Sequence, residues 1–174
     1  MFSNPEKILI QFGLAESLHV ADFGAGAGYY AMLISEKVGK TGKVYAIDIR
    51  KELLERLANM AEKEGRDNIE IICGNVEKEG DTSLPDASVD AVVIANTLFA
   101  MEDKAGAAKE AKRILKKKGR VLLVEWADSF AGMGPHRDHV VKKEAAKKIF
   151  TDAGFSFERE LEAGDHHYGL VFRK

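Results

Sequence analysis

Three regularly spaced glycines bring the backbone of this chain close to a candidate ligand site. Gly24, Gly26 and Gly28 occur within V-A-D-F-G-A-G-A-G-Y-Y, residues 20–30, directly after a short apolar run. Glycine lacks a side chain and adopts backbone angles that other residues avoid, so a glycine turn leaves its N–H groups accessible. The loop follows a predicted strand and opens a predicted helix, the position at which open α/β sheets bind nucleotides. The loop therefore predicts a bound nucleotide.

A carboxylate further along the chain indicates that this ligand contains a ribose. Asp48 lies 20 residues after Gly28, at the end of the apolar run K-V-Y-A-I. An acidic side chain in this position hydrogen-bonds the ribose hydroxyls of a bound nucleotide. A dinucleotide fingerprint would place glycine or alanine at position 29, where this chain has Tyr29. An NAD-dependent oxidoreductase is therefore disfavoured, although it stays an alternative.

The spacing G-x-G-x-G resembles motif I of the class I S-adenosylmethionine-dependent methyltransferases. The loop G-P-H-R-D-H, residues 134–139, is similar more narrowly to small relatives from ubiquinone and menaquinone biosynthesis. The resemblance implies methyl transfer from S-adenosylmethionine, the cofactor, to a small-molecule acceptor. A non-catalytic binder of the same donor is a further alternative. Other stretches resemble the family's ribose-binding strand, adenine-side turn and strands four, five and seven: V-Y-A-I-D, C-G-N-V, V-D-A-V-V-I-A-N, I-L-K-K-K-G-R-V-L-L-V-E-W and H-H-Y-G-L-V-F-R-K.

The resemblance assigns roles to residues near the ends of several strands. Backbone N–H groups of the glycine loop suit the methionine carboxylate, and Asp22 suits the ammonium. Asp48 would bind the ribose, and Asn75, where many relatives have Asp, would bind the adenine edge because a carboxamide can donate and accept. Asn96 matches the turn towards the methyl donor. The complete predicted cofactor site is Asp22, Gly24, Ala25, Gly26, Gly28, Asp48, Ile49, Asn75, Val76 and Asn96.

The acceptor side is predicted from aromatic and loop residues. Tyr29 and Phe99 are candidates for lining the acceptor pocket, but which of Tyr29 and Tyr30 packs inward is open. The loop 127–139 has the composition of a lid, and a solvated loop is the alternative. If it closes, His136 would be the general base and Arg137 would hold an acidic acceptor.

No metal site is predicted. The spacing His136-x-x-His139 supplies an incomplete ligand set, and histidines in polar loops are usually solvated or capping residues. Cys73, the single cysteine, ends an apolar run and is predicted to be a buried core residue.

The elements that must position these residues alternate between strand and helix. Apolar runs separated by amphipathic helices predict a parallel sheet covered on both faces. The predicted fold is therefore α/β, and the resemblance makes it a Rossmann-like doubly wound sheet of seven strands, order 3-2-1-4-5-7-6, with strand 7 antiparallel. The predicted strands are 20–23, 43–47, 69–73, 89–95, 120–126, 155–163 and 168–173, and the helices are 27–38, from 50, 104–117 and 140–151.

Composition places limits on the whole chain. The 174 residues are predicted to form one domain, 1–174, and a net charge of −2 disfavours a nucleic-acid partner. The run Lys116–Lys118 is predicted to close a helix. With one cysteine and no long apolar run, the chain is predicted to be cytoplasmic and without a membrane span.

Overall fold

The computed structural model describes residues 3–130 and 132–174, and within them the strands form one seven-stranded sheet. The helices are α1 (Pro5–Phe12), α2 (Tyr29–Val38), α3 (Lys51–Lys63), α4 (Lys104–Ile114) and α5 (Lys143–Asp152). The strands are β1 (His19–Phe23), β2 (Lys43–Asp48), β3 (Ile69–Cys73), β4 (Val89–Ala95), β5 (Leu115–Trp126), β6 (Ser156–Leu161) and β7 (His167–Arg173).

The strand order confirms the predicted fold. It is β3-β2-β1-β4-β5-β7-β6, with β1 parallel to both β2 and β4. Strand β7 runs antiparallel to β5, and Trp126 at the end of β5 lies opposite His167 at the start of β7. One edge of the sheet, here called the binding edge, therefore holds the carboxyl ends of β1, β2, β4 and β5 together with the first residue of β7.

The sheet is buried on both faces, as its continuous apolar strands predict. In β4, Val92 and Ile94 pack into the core that includes α4 and α5, whereas Val93 packs into the core that includes α1 and α2. All three valine and isoleucine side chains are completely buried. The rigid sheet thus fixes the positions of the residues at the binding edge.

Helix α1 was not predicted, although the sequence contains residues of the types that typically begin and end a helix. Asn4 caps it by accepting a 3.1 Å hydrogen bond from the Lys7 N–H, and Pro5 occupies the first turn. Gly13 ends it in the left-handed conformation, with φ of +75°. Arg120 of β5 then donates a 2.9 Å hydrogen bond to the Phe12 carbonyl, which ties the end of α1 to the sheet.

The interpretation of the lysine run was wrong. Helix α4 ends at Ile114 rather than Lys117, and β5 begins at Leu115 rather than Arg120, so the lysines lie in the strand. Leu115 is completely buried and pairs with Val89, a packing contact that overrides helix propensity. The register shifts after this pair, and Lys118 takes a φ of +67°.

Cys73 is exposed, and its predicted burial was therefore wrong. It ends β3, the outermost strand on that side of the sheet, which has a neighbour only in β2. Residues of an outermost strand are covered less completely than those of a central strand, because they have a neighbouring strand on one side only.

Other boundaries differ from the predicted ones by a few residues, so that α2 begins at Tyr29 and α5 at Lys143.

Candidate functional site

The glycine loop turns sharply at the carboxyl end of β1. Gly24, Gly26 and Gly28 have φ values of +72°, +55° and +92°, a left-handed region that strongly favours glycine. The N–H groups of Gly24 and Ala25 both donate to the Ile47 carbonyl, at 2.8 and 2.9 Å. The loop is therefore held against the end of β2, and α2 starts directly after it.

The three glycines serve different packing needs. A Cβ at Gly24 would lie 2.4 Å from the Thr97 hydroxyl oxygen, and one at Gly28 would lie 2.1 Å from a methyl carbon of Leu57. At Gly26 the nearest atom would be the Arg50 Nη2, at 3.8 Å. Gly24 and Gly28 are thus required by the protein's own packing, whereas a Cβ at Gly26 would make only ordinary van der Waals contacts.

Asp48, the last residue of β2, is hydrogen-bonded to the glycine loop. Its Oδ2 accepts a 2.9 Å hydrogen bond from the Gly26 N–H. The Arg50 guanidinium donates from Nε to Oδ1 and from Nη2 to Oδ2, both at 3.0 Å, and the Arg50 N–H donates to Oδ1 at 2.9 Å. Burial raises the pKa of Asp48, but these bonds from Arg50 and Gly26 outweigh burial and hold the pKa below its ordinary value. The carboxylate is therefore ionised at neutral pH.

A first cavity of about 280 Å³ opens beside Asp48. Ile49 is 63% exposed at one wall, and the side chain of Val76 is buried. The Asn75 carboxamide oxygen accepts a 2.9 Å hydrogen bond from the Glu77 N–H, which leaves the amide nitrogen to donate to a ligand. The cavity is lined by Gly24, Ile47, Asp48, Ile49, Arg50, Gly74, Asn75, Val76, Glu77, Asn96, Thr97, Phe99, Ala100 and Met101.

A second cavity of about 400 Å³ lies on the other side of the glycine loop. It shares Gly24 and Asn96 with the first cavity, so the two adjoin at the ends of β1 and β4. Asn96 has a φ of +53°, a strained conformation of the kind that clusters at functional sites. The cavity is lined by Ser3, Pro5, Asp22, Gly24, Ala25, Ala27, Tyr29, Tyr30, Ala95, Asn96, Trp126 and His167.

Asp22 is the acidic group of the second cavity, and it is only 2% exposed. Burial and the nearby charge of Asp48 raise the pKa of Asp22 to about 7, although the Ala31 N–H donates to its carboxyl. Within residues 3–130 and 132–174, its Oδ2 has no hydrogen-bond partner, and neither has the Asn96 Oδ1. Unpartnered buried oxygens at a cavity indicate a ligand that donates hydrogen bonds to them.

The far wall of the second cavity is built by the Trp126–His167 pair across β5 and β7. The two ring centroids are 4.2 Å apart. Glu125, next to Trp126, is completely buried, and burial raises its pKa to about 7. Its Oε2 accepts a 3.1 Å hydrogen bond from the Phe99 N–H, which fixes the turn after β4.

Residues 14–160 match a family described as a methyltransferase domain. This match covers more than half of the chain. The chain belongs to the methyltransferase domain family. The resemblance to class I S-adenosylmethionine-dependent methyltransferases is thereby confirmed, together with their strand order.

Similar proteins agree with this family. A crystal structure of an S-adenosylmethionine-dependent methyltransferase from Aquifex aeolicus has a TM-score of 0.90 and 31% identity, covering 99% of this chain and 90% of that one. The ubiquinone/menaquinone biosynthesis C-methyltransferase UbiE of Hahella chejuensis is 34% identical over 66% of this chain and 45% of its own length. The demethylmenaquinone methyltransferase of Lactococcus lactis is 32% identical over 68% of this chain and 46% of its own length. The chain thus spans less than half the length of these two curated relatives.

The geometry of this methyltransferase-family chain brings most of the predicted cofactor residues to the two cavities. Ile49, Asn75, Val76 and Asp48 line the first, Asp22 and Ala25 line the second, and Gly24 and Asn96 line both. Gly26 and Gly28 shape the loop without lining either cavity.

Two predicted acceptor residues lie in cavities, and they lie in different ones. Tyr29 is 68% exposed and lines the second cavity, whereas Tyr30 packs inward with 8% exposure, which resolves the choice between them. Phe99 lines the first cavity, beside the predicted adenine residues, and therefore does not face the predicted acceptor side.

His136 and Arg137 are not brought to either cavity. Both are exposed, and the His136 ring caps a short helical turn, where its Nδ1 accepts from the Asp138 N–H at 3.4 Å. The preceding loop folds back on β5 instead, because Gly134 packs against the Trp126 ring so closely that a Cβ would lie 2.7 Å from it. The structure gives His136 no contact with the site, and its catalytic role stays a prediction.

Arg50, Trp126 and His167 are site residues that sequence reasoning missed. A signal existed for His167, because the antiparallel β7 predicted from the sequence must start at the binding edge. In the described parts of the chain, no group of three or more His, Cys, Asp or Glu side chains is placed to hold a metal ion. No helix within residues 3–130 and 132–174 has the length and apolar character needed to cross a membrane.

Proposed function

We propose that this chain binds S-adenosylmethionine and transfers its methyl group to a small-molecule acceptor. The observation that carries the proposal is the buried Asp22 carboxyl, whose Oδ2 has no partner among the described residues and which lies beside the glycine loop. The ammonium of the donor would pair with Asp22, and its carboxylate would accept hydrogen bonds at the start of α2. Ala25 of the glycine loop lines the same cavity as Asp22, so the loop lies beside this methionine portion.

The nucleoside portion of the donor fits the first cavity. Asp48 would accept hydrogen bonds from the ribose hydroxyls, and the adenine would lie between Ile49 and Val76. The Asn75 amide nitrogen would donate to an adenine ring nitrogen, since its oxygen is already engaged. When bound, S-adenosylmethionine supplies an electrophilic methyl group on a positively charged sulfur. The contribution of the chain is then to align the acceptor with that methyl group and to exclude water.

A small-molecule acceptor is supported by the size of the second cavity and by the relatives. A volume of about 400 Å³ is within the range of small-ligand sites. The names of the Hahella and Lactococcus relatives refer to methyl transfer in quinone biosynthesis. With a net charge of −2, the chain offers no general attraction for nucleic acid. The single domain 1–174 and the cytoplasmic location stay predictions from the sequence.

Two measurements test the proposal. Calorimetry with S-adenosylhomocysteine, S-adenosylmethionine and NADH should give binding to the first two ligands only. Incubation with methyl-deuterated S-adenosylmethionine and a fractionated metabolite extract should then give a product heavier by a deuterated methyl group, found by mass spectrometry. Donor binding without any labelled product would indicate a non-catalytic binder. Binding of NADH without a response to S-adenosylhomocysteine would contradict the proposal.

A further inference from the structure

We propose that His167 is the catalytic residue that holds the methyl acceptor, accepting a hydrogen bond and then the proton from an uncharged acceptor that carries an O–H or N–H group. This inference rests on the proposed function and assigns the acceptor side of the same site. His167, in β7, would thus be the general base that the sequence analysis predicted at His136.

The first support is the state of the His167 side chain. It is 9% exposed and lines the second cavity. Within the described residues, neither its Nδ1 nor its Nε2 has a hydrogen-bond partner. A buried imidazole with both nitrogens unpartnered costs free energy, unless a ligand supplies the missing hydrogen bonds. The Trp126 ring lies against the imidazole with the two planes tilted by 40°, which limits the orientations that the imidazole can adopt.

The second support is where His167 lies relative to Asp22. The strand order places β4 and β5 between β1 and β7, so the two residues are separated by three strand spacings, about 14 Å at the binding edge. Asp22 would hold the methionine end of the donor, and Asn96 directly follows the intervening β4. The distance leaves room for an acceptor between the donor and the imidazole.

The third support is the charge of the second cavity, which argues against an anionic acceptor. Among the described residues, no lysine or arginine lines it. The titratable groups around His167 are Asp22 of β1, Tyr29 and Tyr30 of α2, Asp128 after β5 and His166 before β7. A carboxylate acceptor would lose hydration without gaining a cationic partner from the chain, whereas a neutral hydroxyl or amine would not.

The protonation state of His167 suits a proton acceptor. Burial lowers the pKa of His167 from its ordinary 6.5, and His166 acts in the same direction against the opposing charge of Asp128. The imidazole is therefore neutral at pH 7, and one nitrogen has a free lone pair. In the transfer step the acceptor atom bonds to the methyl carbon while the sulfur–carbon bond breaks with its electron pair left on sulfur. The acceptor proton passes to the imidazole, which carries the positive charge that sulfur loses.

Two probes of equal ring size test this assignment on the full chain saturated with S-adenosylhomocysteine. These are 4-fluorophenol, which is neutral with an O–H group, and 4-fluorobenzoate, which is anionic, both followed by fluorine NMR. We expect 4-fluorophenol to bind and 4-fluorobenzoate not to bind. His167→Phe should weaken 4-fluorophenol about tenfold by removing one hydrogen bond. His139→Phe, a matched change in an exposed residue outside both cavities, should leave binding unchanged.

A conservative variant separates the chemical role from a structural one. His167→Gln can accept a hydrogen bond but does not titrate, so it should retain 4-fluorophenol binding and lose the weakening that the native chain shows as acid protonates His167. Absence of 4-fluorophenol binding, equal binding of 4-fluorobenzoate, or an unaffected His167→Phe would each overturn the assignment. If S-adenosylhomocysteine itself fails to bind the native chain, the proposed function fails instead.

Discussion

Replacing Arg50 with alanine should strengthen binding of S-adenosylmethionine. In the structure the Arg50 guanidinium occupies both oxygens of Asp48, at 3.0 Å each, where the ribose hydroxyls are expected. A ligand must therefore displace the guanidinium before it reaches the carboxylate. The Arg50 side chain is 53% exposed, so its ion pair is worth only about 0.2–1 kcal/mol. Removing that competition should lower the Kd by about 1.4- to 5-fold.

Calorimetry with S-adenosylhomocysteine measures this change, and a charge-matched variant controls for it. Arg66 forms a comparable 3.2 Å ion pair with Glu36 and lines neither of the two cavities. Arg66→Ala should therefore leave the Kd unchanged. The difference between native chain and Arg50→Ala should also shrink at about 0.5 M salt, because salt screens an exposed pair. Weaker binding in Arg50→Ala than in Arg66→Ala would refute the reasoning and indicate that Arg50 contacts the ligand.

Three further predictions concern the loop and the second cavity. The pKa of Asp22 is raised to about 7, so the native state loses stability as the pH rises towards that value. Asp22→Asn should therefore raise the Tm by about 5 °C more at pH 8 than at pH 5, and it should weaken donor binding about 10- to 100-fold. A Tm difference that does not change with pH would contradict this reasoning. Gly26→Ala should fold and weaken donor binding, because alanine is strained at a φ of +55° and would shift the glycine loop. Gly28→Ala should lower the Tm further, because a Cβ there would also lie 2.1 Å from a methyl carbon of Leu57; similar Tm values for both variants would be evidence against the packing argument. Emission of Trp126, the single tryptophan, should fall on acidification with a midpoint below pH 6.5, because an imidazolium in contact with the indole ring quenches its emission. His167→Gln should abolish that transition.

The geometry of the proposed donor half of the site was predictable because its signals are local in sequence. Gly24 and Gly28 must be glycine for packing reasons, and Asp48 ends a strand whose apolar pattern is plain. Once the strands are recognised as parallel, their carboxyl ends must share one edge. The sequence could not predict the contact of Arg50 with Asp48, because the conformation of an exposed side chain depends on which partners fold around it.

The proposed acceptor half of the site was harder to predict from the sequence, because it depends on the pairing of strands that are distant along the chain. His136 has attractive neighbours in sequence, yet the loop that carries it folds back on Trp126 through Gly134. His167 gains its place only from the antiparallel register of β7 against β5. The lysine run was misread for a related reason, since burial of Leu115 in the sheet ends α4 early.

Trp126 of β5 and His167 of β7 lie directly opposite each other, so substitutions at these two positions act on the proposed acceptor side of the site and not on the donor side. The proposed donor contacts come from β1, β2 and the turns that follow β3 and β4, in the half of the strand order that does not contain β5 and β7. Substitutions at the two paired positions are therefore expected to alter the preference for the proposed acceptor while the proposed donor contacts stay intact. A library of variants at only these two positions offers a compact route to redirect methylation towards new compounds, and donor binding would serve as the filter for correctly folded members.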